Sequence, residues 1–227
     1  QSLARNERYK LLFQRSEKLK INNILLGHHQ DDLFENFFIR MLRGSGLRGL
    51  TSFDKKTNVG NKNLYRPLLD LKKADLKFIS NYVFNFYIKD PSNDNEKYQR
   101  IKIRKLIQGL QKVGLDNKKF FKTLKNLKKS DKVIDFYVMK NISDNSFFSK
   151  KQNKLVLNNL FFLQPYEVVF RSLSESIRLI GMKYYSVRGK KLDKIMSDIE
   201  NNRLLKATLG NCIIEKVNQT VIITKEH

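Results

Sequence analysis

The chain has 227 residues, 41% of them hydrophobic, enough for one large domain or two small ones with real cores. No run of about 18 apolar residues occurs, which excludes a helical membrane span; the single cysteine, Cys212, excludes an internal disulfide and fits a reducing, cytoplasmic setting. The formal net charge is +23, from 45 basic and 22 acidic residues, a surplus that attracts polyanions. AT-rich coding explains abundant lysine but not scarce acids, so nucleic acid is the favoured partner. An anionic membrane surface is disfavoured, because no helix sets a clean basic face opposite an aromatic one.

No signal peptide opens the chain, and Ser2 to Lys20 already carries the apolar spacing of a helix. A start at Gln1 inside such a pattern predicts a piece whose beginning is missing. "INNILLG", residues 21–27, is a short apolar run bounded by Asn and Gly and predicts a buried strand. From His29 to Arg43, Leu33, Phe37, Phe38, Met41 and Leu42 follow helical spacing, and Gly44, Gly46 and Gly49 end that helix. Helix, buried strand and helix in this order predict part of a parallel α/β sheet.

Asp70 is the expected N-cap of a helix over about Leu71 to Asn85. "KDPSNDN", residues 89–95, predicts a turn, with Pro91 biasing Asp90 away from helix. "EKYQRIKIRKLIQGL" predicts a basic helix punctuated by Gly109 and Gly114, and Lys118 to Asn141 a long basic amphipathic one. "KLVLN" predicts a strand, Tyr166 to Ile180 and Leu192 to Asn201 two helices, and "TLGNCIIEKVNQTVIITKE" two strands around Asn218-Gln219. The change of character near residues 108–117 divides the chain into 1–110 and 111–227.

One stretch stands out. His28, Asp32 and Glu35 lie four and three residues apart where a strand gives way to a helix, and Asp31 and Glu35 are also four apart. Ligands of open α/β sheets bind at that edge. Three readings stay open: an acidic site for a cation or amine, helix capping by first-turn acids, and a transition-metal site, for which no HxxxH or CxxC ligand set is present. "RGSGLRGL", with Arg43 and Arg48 among three glycines, reads as an anion nest or as a helix stop.

"GHHQDDLFENFFIRMLRGSGLRGL", then "RPLL" at Arg66 to Leu69, then "DPSND" and "RIKIR" at Arg100 to Arg104, form an ordered series. It resembles the tRNA(Ile)-lysidine synthetases, members of the PP-loop, or N-type ATP pyrophosphatase, group. The tail, "RGKKLDKIM" followed by "TLGNCIIE", is similar to the end of that family's tRNA-contacting domain.

The resemblance implies an α/β fold: the later half of a Rossmann-like PP-loop parallel-sheet domain over residues 1–110, without its P-loop strand, and a small α+β tRNA-recognition domain over 111–227. It implies a two-step ligation. ATP adenylates the 2-carbonyl oxygen of the wobble cytidine in tRNA(Ile) with a CAU anticodon, and the side-chain amine of free L-lysine displaces AMP to give lysidine.

For this chain the resemblance implies Asp32 and Glu35 as lysine-binding and catalytic acids, with Arg100 as a catalytic cation. His28, His29 and Asp31 fall on the ATP side, with Mg2+ accompanying the nucleotide. Arg43, Arg48, Arg66, Arg104, Arg188, Lys190 and Lys191 are the expected tRNA contacts, and a cytoplasmic homodimer is the expected assembly. The family's SGGxDS phosphate loop is absent here and belongs upstream, so this stretch alone is expected to be inactive. Asn36 stands where the family has Thr, and Ile101 where it has Asn. Two other functions compete. A tRNA thiolase wants paired cysteines or an iron–sulfur cluster, and one thiol is too few. A non-catalytic tRNA binder fits the charge equally well.

Overall fold

The computed structural model describes residues 2–88, 99–150, 152–183, 187 and 189–226. It divides into two compact units, Gln1–Lys128 and Lys129–His227.

In the first unit, α1 (Ser2–Lys18) leads to β1 (Asn23–Leu25), then α2 (Gln30–Leu42), α3 (Leu47–Thr51), β2 (Lys56–Val59) and β3 (Lys62–Tyr65). The sheet order is β1-β3-β2. β1 and β3 are parallel, with Ile24 opposite Leu64, whereas β2 and β3 form an antiparallel hairpin. The expected sheet is therefore mixed rather than purely parallel. Among the described strands β1 lies at the edge of its sheet, and Leu25 is 72% exposed.

Helix α2 begins at His29 and ends at Gly44, whose φ of +67° suits a residue without Cβ just past a helix C-cap. Gly46 caps α3, and Gly49 lies within it rather than stopping a helix. Asp70 is not a helix cap: it pairs with Lys55, and α4 (Lys73–Phe84) starts after Lys72. α5 (Gln99–Lys112) runs straight through Gly109, held by Ile103 and Ile107 in the core. The expected turn at 89–95 lies outside the described residues.

The core of this unit joins Leu33, Phe34 and Phe38 of α2 to Ile103 and Ile107 of α5. Phe120 and Leu124 complete it from the start of α6 (Asn117–Asn145), with Phe120 stacked on Phe34 at a centroid distance of 4.0 Å. A buried Phe contributes about 3–5 kcal/mol. That packing carries the first unit to Lys128, past the expected division at 110/111.

The second unit is a five-stranded antiparallel sheet of order β4-β5-β8-β7-β6, from β4 (Ser146–Ser149), β5 (Lys154–Leu157), β6 (Lys206–Leu209), β7 (Cys212–Val217) and β8 (Thr220–Lys225). Cys212 and Ile214 alternate with half-exposed neighbours on β7, as do Val221 and Ile223 on β8, so one sheet face is apolar. Leu173 and Ile177 of α7 (Tyr166–Ile180) and Leu192 and Met196 of α8 (Gly189–Glu200) cover that face.

Candidate active site

The first unit contains a cavity of about 740 Å3 where the starts of α2, α4 and α6 meet the middle of α5. That size suits a small molecule. Phe34, Ile107 and Leu115 give it an apolar wall, and Asp31, Glu35 and Asp116 bring three carboxylates. Lys72, Lys73, Arg104 and Lys118 bring four cations.

Glu35 sits mid-helix on α2 and is 2% exposed. The Nε of Arg104 donates to its Oε1 at 2.6 Å, while its Oε2 is buried and accepts no hydrogen bond. A buried carboxylate oxygen without a donor is costly, so this arrangement favours a ligand that brings one. Asn117 donates to Gln30 at 2.6 Å and ties the start of α6 to the start of α2 beside the cavity. Asp116 caps α6; the backbone N–H of Lys119, at 2.6 Å, is the main reason its carboxyl is held below the usual range.

Asp32 does not join Glu35 in this cavity. Its Oδ2 accepts the backbone N–H of His29 at 3.0 Å and lies 3.4 Å from the His29 Nε2. It closes the N-terminus of α2 reciprocally with His29, as a capping residue does. Asp31, four residues before Glu35, takes the place beside it. Of the two acids expected to hold lysine, Glu35 lines the cavity together with Asp31, and Asp32 is engaged with His29.

Of the residues expected on the ATP side, Asp31 lines the cavity. His29 faces Asp32, and the His28 ring meets Phe53 edge-on with centroids 5.2 Å apart. Arg100 is half-buried at the start of α5, one turn before Arg104, and does not line the cavity. Ile101, where the family has Asn, is buried in the first unit, and Asn36, where it has Thr, accepts from Arg40 at 3.4 Å.

Two of the residues expected to contact tRNA are engaged within the first unit. Arg66 is 4% exposed, donates to Asp54 O and Thr57 Oγ1 at 2.8 Å each, and packs over the Phe53 ring at 4.6 Å. These bonds tie β3 to the β2 region. Arg104 is committed to Glu35. Arg43, Arg48, Lys190 and Lys191 are exposed, as tRNA contact requires, and Arg43 reaches the Gln99 side chain at 3.5 Å. Arg188 lies outside the described residues.

Sequence reasoning missed Lys72, Lys73 and Asn117. The signal for the lysines was present: two cations open α4, at the end of a helix where its dipole disfavours positive charge. A local rule broken in this way points to a site. Among the described residues no group of three or more His, Cys, Asp or Glu is placed to hold a metal ion. The transition-metal reading of the acid–histidine cluster therefore finds no ligand set there.

The family model described as "PP-loop domain" matches residues 1–110. The tRNA(Ile)-lysidine synthase of Orientia tsutsugamushi (strain Boryong) is 31% identical over 239 residues, covering 100% of this chain and 53% of the relative. That of Wolbachia sp. subsp. Brugia malayi (strain TRS) is 28% identical over 233 residues, again 100% of this chain and 53% of the relative. That of Francisella tularensis subsp. holarctica (strain OSU18) is 42% identical over 92 residues, 40% of this chain and 23% of the relative. The chain spans about half the length of the first two.

Proposed function

We propose that this chain, a homologue of the tRNA(Ile)-lysidine synthases over its whole length with a PP-loop domain in residues 1–110, is part of an enzyme that ligates L-lysine to the wobble cytidine of tRNA(Ile) with a CAU anticodon. ATP adenylates the 2-carbonyl oxygen of that cytidine and releases diphosphate. The lysine side-chain amine then attacks C2, and AMP leaves with the oxygen.

The observation that carries this reading is the buried Oε2 of Glu35, which accepts no hydrogen bond, in a carboxylate that lines the cavity. A side-chain ammonium satisfies it with a charge-assisted bond. Arg104 holds the other oxygen, so the carboxylate is aimed before substrate arrives. To become a nucleophile the ammonium must lose one proton, and Glu35 is the base within reach. Asp31 adds negative charge on the same helix face. Asp32 acts one step back, holding the start of α2 and the His29 ring on the nucleotide side.

Arg100 supplies positive charge near the phosphates. Mg2+ enters only as the counter-ion of ATP. Arg43 and Arg48 of the first unit, and Lys190 and Lys191 of the second, contact the tRNA backbone, in keeping with the +23 net charge. No described helix is long and apolar enough to cross a membrane, and we place the enzyme in the cytoplasm with its tRNA. Sulfur transfer is disfavoured, because Cys212 is 0% exposed and burial pushes its thiol pKa up to about 11.

The test is transfer of labelled L-lysine to this tRNA by the whole protein with ATP and Mg2+. ATP-dependent incorporation at the anticodon is expected. No incorporation, with tRNA and protein both folded, overturns the reading; tRNA binding without transfer then leaves the non-catalytic binder.

A further inference from the structure

The second unit holds a cavity of about 370 Å3 where the C-terminal end of α8 meets the 3-10 turn Asn159–Phe161 and the β7–β8 hairpin. That volume takes one small ring system. Phe162, Leu163, Ile199 and Val221 form its apolar part. Phe162 packs on the core of the unit, its ring centroid 5.1 Å from that of Phe161. The rest of the lining is polar: Asn159, Asn202, Asn218 and Gln219 bring four carboxamides, and Glu200 a carboxylate. Asn202 (φ +56°) and Asn218 (φ +53°) occupy the left-handed region, where Asn is better tolerated than most side chains, so two of the amides stand on tight turns. Thr220 Oγ1 donates to Val217 O at 2.9 Å and braces the turn that carries Asn218 and Gln219. The cation in the lining, Lys216, is already engaged: its Nζ donates to Ile199 O at 2.9 Å and to Asn202 Oδ1, closing the end of α8. Among the described residues the side chains of Asn159, Asn218 and Gln219 make no hydrogen bond within the protein.

This lining discriminates among ligands. A phosphate meets a carboxylate and a lysine that is held elsewhere. A purely apolar ligand leaves the amides without partners. A flat, uncharged ring with donors and acceptors along one edge suits both parts: its face lies on Phe162, and its edge meets carboxamides that each offer a donor and an acceptor. Glu200 accepts from an exocyclic amine on such an edge. We infer that this cavity takes an unpaired nucleobase of the bound RNA. The inference rests on the tRNA binding proposed above and not on lysine transfer. RNA is favoured over a free nucleotide because the lining offers nothing to a phosphate, whereas the exposed Lys190 and Lys191 belong to the same unit. Lysines outside the cavity hold the backbone of any sequence, and the amides inside it read one base.

Filter binding of the whole protein to tRNA(Ile) with a CAU anticodon, at several salt concentrations, tests this together with dimethyl sulfate and carbodiimide probing of unpaired bases. The variants are N159A/N218G/Q219A, in which glycine keeps the left-handed turn at 218, and Phe162→Leu, which keeps apolar bulk and loses the aromatic face. Wild type is expected to protect one unpaired base outside the anticodon. Each variant is expected to expose that base again and to bind about fivefold or more weaker, with the slope of log K against log salt unchanged to within about half a unit, since no phosphate contact is lost. Wild-type affinity in both variants, or a footprint identical to wild type, overturns the base pocket while leaving tRNA binding in place. A slope reduced by about one unit or more overturns it too, assigning the residues to phosphate. Weaker ATP binding with tRNA binding intact assigns the cavity to a free nucleotide and overturns the RNA reading of it. If wild type binds no tRNA, the binding beneath the inference is itself wrong. Circular dichroism confirms that each variant is folded.

Discussion

Arg104 on α5 places its Nε 2.6 Å from Oε1 of Glu35 on α2, 69 residues away in sequence, and so locks one oxygen of a carboxylate that is 2% exposed. The pair joins the two helices that pack most of the first unit's core. Arg104→Met strands a buried charge. Fully buried pairs lose about 3–5 kcal/mol on such a change; the Arg104 side chain is 30% exposed, so water screens part of it and about 1–3 kcal/mol is expected. Adding Glu35→Gln should recover part of the loss. Urea unfolding midpoints of the two single variants and the double variant measure this coupling, and additive losses would contradict it.

Arg66 is buried among partners of its own unit. Arg66→Met removes two hydrogen bonds and the contact over Phe53, and should cost about 2–4 kcal/mol. The folded variant should keep wild-type tRNA affinity with an unchanged salt dependence. Thermal melting and filter binding at several salt concentrations check both halves.

Lys190 and Lys191 are exposed in the first turn of α8. Replacing both with Gln should weaken tRNA binding and reduce the slope of log K against log salt by about one to two units, since each lost phosphate contact retains its counterions. Stability should stay within about 0.5 kcal/mol, as for ordinary surface changes. An unchanged slope removes these residues from the interface.

Cys212 gives a pH dependence with a definite sign. Burial pushes its thiol pKa from 9.0 to about 11, and the thiol sits 3.3 Å from the Ile177 carbonyl. A folded-state pKa raised above the unfolded value contributes stability that is full below pH 9 and is lost as pH rises through about 11. The stability difference between wild type and Cys212→Ala should therefore shrink across pH 9–11, measured by denaturant unfolding. Lysine transfer by Cys212→Ala should match wild type at neutral pH; its abolition would favour sulfur chemistry.

The sequence revealed the parts of this fold whose periodicity is self-contained. α7 spans Tyr166–Ile180 as expected, because Val169, Leu173 and Ile177 fall on one face. Strands β2, β3, β4 and β6 stayed hidden: four residues each, they exist through pairings such as Asn63 with Asn23, which no local pattern encodes. At the site, Glu35 was legible and its partner was not. Helical spacing lets either Asp31 or Asp32 accompany Glu35, and the cap on His29 decides between them. Arg66 and Arg104 looked like surface charge because their partners lie across a turn and across another helix. Lys72 and Lys73 went unnoticed because a lysine pair in so basic a chain is unremarkable until a cavity opens beside it.

The central claim is that Glu35 holds the amine that reacts, and steady-state kinetics of Glu35→Gln in the whole protein test it most directly. The account predicts a loss of about 100-fold or more in kcat/KM for L-lysine, the range of a missing general base, with tRNA affinity within about threefold of wild type. Equal losses in lysine use and tRNA binding, or no loss in either, would contradict it.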